Sequence, residues 1–289
     1  MRVLVVGATG MLGHEACRTL SASHDVHGVA RSLANLSEVG RAAFERCTMH
    51  AGFNAMDERS IESMVAMINP EVVLNCVGVV KQLADALEAI PSIRINALLP
   101  HLLAQACDVR GAKLIQVSTD CVFSGAKGNY SEEDPPDPVD LYGRSKLLGE
   151  VGDSPHLTIR TSIIGRQLRG NTSLLEWFRG RRGGIVRGYA RAFFSGLTTS
   201  ALCGVLNRLL CEAPELSGLF HVSATPISKL ALLELINEAL DLRITIKRDE
   251  SFVCDRSLDS SQFRQSTGFD MPSYDAMIAM LREEELLYD

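Results

Sequence analysis

The feature that most restricts the fold is the N-terminal run Arg2-Val-Leu-Val-Val-Gly7-Ala-Thr-Gly10-Met-Leu-Gly13, an apolar strand signal that meets three glycines spaced three apart and then a helical pattern. A tight strand-to-helix turn needs residues without Cβ where the backbone bends sharply or a pyrophosphate comes close. The helix that follows points its positive N-terminus at that anion. Gly7, Thr9, Gly10, Met11, Leu12 and Gly13 are therefore the candidate cradle of a dinucleotide. The same grammar repeats downstream, where Val26–Ala30, Val72–Cys76 and Lys113–Val117 read as short strands, each followed by helical periodicity. That alternation predicts an α/β fold with a Rossmann-like, doubly wound parallel sheet. The lack of polar alternation inside the strands predicts helices on both faces. Asp57 reads as the N-cap of a helix carrying Ile61, Met64, Val65 and Ile68, and Ser228 as the cap of another.

Beyond about Pro155 the rhythm loosens into shorter elements. Residues 1–155 are thus expected to form the dinucleotide-binding domain. Residues 156–289 are expected to form mainly a smaller α/β substrate-binding lobe, with some segments returning to the first domain. At 289 residues and 46% apolar, the chain can bury a substantial core. Its 29 basic and 35 acidic side chains give −6, which offers no electrostatic footprint for nucleic acid or an anionic membrane. Eight scattered cysteines with no CxxC pair fit neither a zinc ribbon nor a disulfide framework, so a reducing, cytoplasmic setting is expected. Glycines interrupt the first apolar run, which reads as a strand with no signal peptide, and no run of about 18 apolar residues follows. The histidines and cysteines show no metal-ligand spacing, and no metal is expected.

Selectivity for NAD usually rests on an acidic residue about 20 positions past the glycines. Here that place reads Val29-Ala30-Arg31-Ser32. An arginine fork pairs well with a phosphate, so Arg31 and Ser32 are expected on the 2′-phosphate of NADP(H); a solvated loop charge is the alternative for Arg31. Tyr142-Gly-Arg-Ser-Lys146 places a phenol and an ammonium on one helix face. A neighbouring ammonium stabilises the phenolate of such a tyrosine. Ser118 and Thr119 lie at the carboxyl end of a strand, the edge where open α/β sheets hold their ligands.

Together the glycine turn, Asn75-Cys76-Val77-Gly78, Asn96, Ser118-Thr119-Asp120 and Tyr142-Gly-Arg-Ser-Lys146 resemble an extended short-chain dehydrogenase/reductase. Within it, Val117-Ser-Thr-Asp-Cys-Val-Phe-Ser-Gly125, Tyr142 through Glu150, and Arg160-Thr-Ser162 are most similar to the dTDP-4-dehydrorhamnose reductases, over nearly the whole first lobe. The resemblance implies an NADP(H)-dependent reductase of a nucleotide-activated keto sugar, in the nucleotide-sugar metabolism that feeds polysaccharide biosynthesis. In that role Tyr142 gives a proton to the substrate carbonyl as hydride arrives. Lys146 holds the nicotinamide ribose and tunes the tyrosine, and the hydroxyl of Thr119, or of Ser118, bonds the same carbonyl oxygen. Asn96 stands where the side chain organises a proton-relay water, or it is a helix-surface amide. Cys76, Val77 and Gly78 are expected beside the nicotinamide, and Asn54 stands in for the family's adenine-binding aspartate. A homodimer is expected from the habit of the superfamily.

Departures narrow the reading. Thr119-Asp120 is followed by Cys121, so the glutamate of the sugar-nucleotide dehydratases is absent. Cys121 and Ile163 stand where the rhamnose-pathway reductases usually have tyrosine and tryptophan. For the substrate, Lys81, Gln82 and Arg187 are the candidates. Arg187 lies in a stretch from Arg166 to Arg191 that holds seven arginines against Glu176 alone, a local +6 that leaves about −12 on the remainder. Most of these arginines suit a solvated face or subunit contact equally well, and Trp177 reads as a core aromatic or a base-stacking one. The rival functions are a nucleotide-sugar epimerase, against which Arg31 argues, and a non-catalytic NADP-sensing regulatory subunit similar to the beta subunit of methionine adenosyltransferase.

Overall fold

Short β-branched runs separated by amphipathic stretches build the N-terminal part of the chain in strict alternation. The computed structural model describes residues 1–34, 36, 38–79 and 88–288. β1 (Arg2–Val6), α1 (Met11–Leu20), β2 (Asp25–Val29), α2 (Glu38–Ala42), β3 (Thr48–His50), α3 (Glu58–Ile68) and β4 (Val72–Asn75) follow one another. α4 (Ala89–Ser92) runs through a π-helical segment, Ile93–Leu98, into α5 (Leu99–Asp108). β5 (Lys113–Thr119), a 3₁₀ turn over Asp120–Val122, α6 (Leu141–Leu148) and β6 (Leu157–Thr161) complete this part.

The remainder comprises β7 (Ile163–Ile164), α7 (Leu174–Arg179), β8 (Ile185–Phe194), β9 (Leu197–Thr198), α8 (Thr199–Glu212), β10 (Gly218–His221), β11 (Ile227–Ser228), α9 (Lys229–Ala239), β12 (Thr245–Asp255), α10 (Ser261–Thr267) and α11 (Tyr274–Tyr288).

The main sheet has seven strands in the order β10-β6-β5-β4-β1-β2-β3, and every pairing in it is parallel. The doubly wound sheet expected from the alternation is therefore present. Its two faces bury alternate residues of the same strands. Val3, Val5, Leu74 and Ile115 pack in the core that holds Ala16 of α1 and Leu202 of α8. Leu4, Val6, Val73 and Leu114 pack in the core that holds Ile61 of α3 and Leu103 of α5. Strands covered on both sides have no polar alternation, which is what their sequences show. β6 and β10 come from beyond residue 155 yet belong to this sheet. The second half also holds a three-stranded sheet, β11-β8-β12, with β8 paired in parallel to β12, and a two-stranded one, β7-β9.

Asp57 caps α3 by accepting the Arg59 N–H, and Ser228 caps α9 by accepting that of Ala231. The acidic segment 129–140 reads in sequence as a surface loop. In the fold it is tied down, because Tyr130 is buried and exchanges backbone hydrogen bonds with Ser257 and Asp259. Among the described residues no helix is long and apolar enough to cross a membrane.

Candidate active site

The turn between β1 and α1 is shaped by what it excludes. Gly7 has φ +84°, and a Cβ there would stand 2.7 Å from Val77 Cγ2. A Cβ on Gly13 would lie 2.1 Å from the Gly7 carbonyl oxygen, so the start of α1 seats directly on the turn. Gly7 and Ala8 both donate to the Val29 carbonyl, and Gly10 donates back to Gly7. Gly10 is the N-cap of α1 and brings no side-chain cap, so the first-turn N–H groups of Met11 and Leu12 are left to a ligand or solvent. The half-buried Thr9 completes the turn. A wall of backbone and glycine at a helix N-terminus fits a pyrophosphate. Cys76, Val77 and Gly78 abut this wall from the end of β4, where Asn75 Oδ1 accepts the Val77 N–H at 3.0 Å. Burial pushes the Cys76 thiol up to about 12, so it stays neutral there.

Arg31 and Ser32 are exposed beyond β2, the Ser32 hydroxyl accepting the Ala34 N–H. Gly52 donates to the Arg31 carbonyl, and Phe53 to that of Ala30, which sets the loop after β3 alongside. Asn54, also exposed, spends its side-chain oxygen on the Met56 N–H.

At the carboxyl end of β5 the pleat separates two neighbouring hydroxyls. Ser118 stands across from Arg160 of β6 and donates to Glu150 Oε1 at 2.7 Å. Glu150 accepts from Nε and Nη2 along one edge of the Arg160 guanidinium, at 2.8 and 2.7 Å, and this pair is almost fully buried. Thr119 faces the other way and lies beside the Tyr142 side chain. Thr119, and not Ser118, is thus the hydroxyl beside the tyrosine. Asp140 caps α6 by accepting the Gly143 N–H at 2.8 Å. A Cβ on Gly143 would come within 2.2 Å of the Cys121 carbonyl, so the first turn of α6 lies against the Thr119–Cys121 turn and delivers Tyr142 to it.

Burial raises the Tyr142 phenol, with Cys121, Asp120 and Asp140 acting in the same direction and the Thr119 hydrogen bond against them. It is a neutral phenol at physiological pH. Lys146, one turn on and buried, donates its Nζ to the Val117 carbonyl at 2.6 Å. Burial lowers it to about 8, partly offset by Glu150 and Cys76.

Asn96 sits in the π-helical segment and is buried. Its Oδ1 accepts the Val79 N–H, and its Nδ2 donates to the Val79 carbonyl and to Ser145 Oγ. Both ends of the amide help pin the loop after β4 to α6, so it is no helix-surface amide.

Lys81 and Gln82 lie outside the described residues. Arg187 projects from β8, its side chain 70% exposed, toward Asp249 of β12 at 3.4 Å. Two further arginines of the stretch are held in ion pairs, Arg166 with Glu176 and Glu285, and Arg179 also with Glu285. Trp177 is 38% exposed on α7. The cations that approach the reactive turn from the second half are Arg256 and Lys229. Arg256 donates Nε to the Phe123 carbonyl at 2.8 Å and places Nη1 3.9 Å from Cys121 Sγ. Both Arg256 and Lys229 act electrostatically on Asp120. Neither is signalled by local spacing, since 135 residues separate Arg256 from Cys121. Among the described residues no group of three or more histidine, cysteine or acidic side chains is placed to hold a metal.

The family model described as RmlD substrate binding domain matches residues 1–173. The chain belongs to the RmlD substrate binding domain family. The structure is similar to that of a hypothetical dTDP-4-dehydrorhamnose reductase from Sulfolobus tokodaii, with 30% identity, TM-score 0.78, and 96% of this chain and 99% of that one covered. A Bacillus anthracis dTDP-4-dehydrorhamnose reductase solved with NADP shares the fold, with TM-score 0.80, 22% identity, and coverage of 98% and 99%. A Streptomyces griseus dTDP-4-dehydrorhamnose reductase is 36% identical over 152 residues, covering 52% of this chain and 43% of that protein. The Danio rerio methionine adenosyltransferase 2 subunit beta is 32% identical over 150 residues, covering 52% and 42%. The chain spans about half the length of the curated relatives it matches. Among solved structures that share the fold, the Bacillus anthracis protein holds NADP, and Bordetella bronchiseptica WbmG and a Thermus thermophilus UDP-glucose 4-epimerase hold NAD.

Proposed function

We propose that this member of the RmlD family is an NADP(H)-dependent reductase of a nucleotide-activated keto sugar, with Tyr142 as the proton donor. The observation that carries the reading is the meeting of Thr119, Tyr142 and Lys146 at the carboxyl edge of β5, next to a glycine turn whose backbone a diphosphate could approach closely. Gly7, Gly10, Gly13 and the start of α1 would hold the pyrophosphate, Cys76 to Gly78 would border the nicotinamide, and Arg31 with Ser32 would meet a 2′-phosphate. The bound dinucleotide supplies a hydride to the carbonyl carbon. Tyr142, held neutral by its surroundings, gives its proton to the carbonyl oxygen, and Thr119 steadies that oxygen as charge develops, each contribution typically worth several kcal/mol of barrier. Lys146 places positive charge under the site below pH about 8.

Arg256 and Lys229 are the cations available to an anionic substrate at this turn, with Arg187 further out on β8. The purified chain with NADPH and a panel of nucleotide 4-keto sugars tests the reading, with Tyr142→Phe as the control. Likeness to methionine adenosyltransferase subunit beta favours one rival, a nucleotide-sensing subunit. Recovery of a stoichiometric partner, together with no oxidation of NADPH on any sugar, would establish it. A homodimer belongs to the proposed reading and is measured by sedimentation.

A further inference from the structure

Tyr288, at the end of α11, reaches the turn that follows β1. His14 is buried on α1, one turn beyond the N-cap Gly10. Its Nδ1 lies 2.8 Å from the Gly10 carbonyl oxygen, which also accepts the His14 backbone N–H at 3.1 Å. At the other end of the ring, Nε2 lies 2.5 Å from the Tyr288 hydroxyl, 274 residues away in sequence. A neutral imidazole carries one N–H, and a carbonyl oxygen can only accept. Nδ1 therefore holds the ring proton and donates to Gly10, while Tyr288 donates its O–H to the bare Nε2. Burial favours this neutral form, holding the ring below the usual imidazole range.

The peptide group that carries the Gly10 carbonyl also carries the Met11 N–H, and in a trans peptide the two point in opposite directions. Two hydrogen bonds from His14 hold the carbonyl along α1, so the Met11 N–H is aimed out of the helix end, where it has no helical partner. We propose that His14 and Tyr288 are positioning residues for the dinucleotide, with Tyr288 fixing the ring that turns the Met11 N–H toward the diphosphate. The proposal rests on the dinucleotide reading of the glycine turn above.

Tyr288 is itself held in place. The Arg166 guanidinium carbon lies 4.5 Å from the centre of its ring, and Glu285 accepts from Arg166 Nη1 at 2.7 Å. Glu284 accepts from Arg18 of α1 at 3.2 Å, so the end of α11 is tied to the same helix that carries His14.

Tyr288→Phe removes one hydroxyl. In calorimetric titration with NADPH its Kd should rise roughly fivefold, the scale of one lost hydrogen bond. His14→Leu donates nothing to Gly10 and should weaken binding at least as much. The amide of His14→Asn has an N–H where Nδ1 stood and nothing in place of Nε2. It should bind near wild type, and adding Tyr288→Phe to it should cost nothing further. A helix end that merely packs against α1 would lose the same affinity in both backgrounds. That result, or unchanged affinity in Tyr288→Phe or His14→Leu, would overturn the proposal.

Nitrogen-15 NMR of the wild-type ring should show a protonated Nδ1 and a bare Nε2, and the reverse tautomer would also overturn it. If wild type binds no NADPH, the dinucleotide reading fails, and the Met11 amide signal still decides the link to Tyr288. It should move between wild type and Tyr288→Phe and stay put when Tyr288→Phe is added to His14→Asn. A signal that moves in both comparisons, or in neither, refutes the link.

Discussion

Glu150→Gln separates a structural role from a chemical one in a single side chain. Glu150 grips Arg160 bidentately, with the two side chains 8% and 5% exposed, and also accepts the Ser118 hydroxyl. Taking the charge from one partner leaves a buried guanidinium without its counterion, which costs about 3–5 kcal/mol. Glutamine keeps an oxygen for Arg160 or Ser118, so the loss belongs near the lower end, about 3 kcal/mol, measured by urea denaturation at pH 7. The same carboxylate supports the charge on Lys146, which burial has already lowered to about 8. Without Glu150 that value falls further. The alkaline limb of the pH–rate profile, where Lys146 loses its proton, should then move to lower pH. Stability within about 0.5 kcal/mol of wild type, the scale of a surface substitution, together with an unmoved alkaline limb, would refute this account of the pair.

Arg31→Ala should lower the preference for NADPH over NADH by roughly tenfold or more, the scale of a charge-assisted phosphate contact, and unchanged discrimination in cofactor titrations would remove Arg31 from the 2′-phosphate site. His221 is fully buried, with burial and the Arg160 charge lowering it to about 4. The folded state therefore binds its proton more weakly than the unfolded chain. Stability is complete above about 6.5 and declines as pH falls toward 4, by about 3 kcal/mol over that window. In His221→Gln the slope of unfolding free energy against pH between 6.5 and 4 should shrink by about one proton, and an equal slope would contradict the assignment. Gly13→Ala forces a methyl to 2.1 Å from the Gly7 carbonyl oxygen. Calorimetric titration should show dinucleotide binding lost or severely weakened, and wild-type affinity would show that the turn does not cradle the ligand.

Features written in neighbouring residues were legible before the fold was known. The glycine turn, the caps at Asp57 and Ser228, and the Tyr142–Lys146 face each depend on spacing within one or two turns of chain. The choice between Ser118 and Thr119 was not legible, because it depends on which side of β5 faces Arg160 of β6 and which faces α6. The arginine-rich stretch looked like an anion site because its partner Glu285 lies more than a hundred residues away. Arg256 and Lys229 stayed hidden for the same reason, since only the folding of the second half onto the Thr119–Cys121 turn gives them a neighbour. Asn96 matched a family position, but its commitment to Val79 and Ser145 follows from the π-helical segment, whose register the sequence does not announce.

The central claim is hydride reduction of a nucleotide keto sugar with Tyr142 as proton donor, and single-turnover oxidation of NADPH by wild type and Tyr142→Phe tests it most directly. The account predicts turnover of at least one nucleotide 4-keto sugar by wild type and a loss of roughly a hundredfold or more in the phenylalanine variant, with NADPH binding retained. Equal rates in the two proteins, or no oxidation with any sugar of the panel, would contradict it.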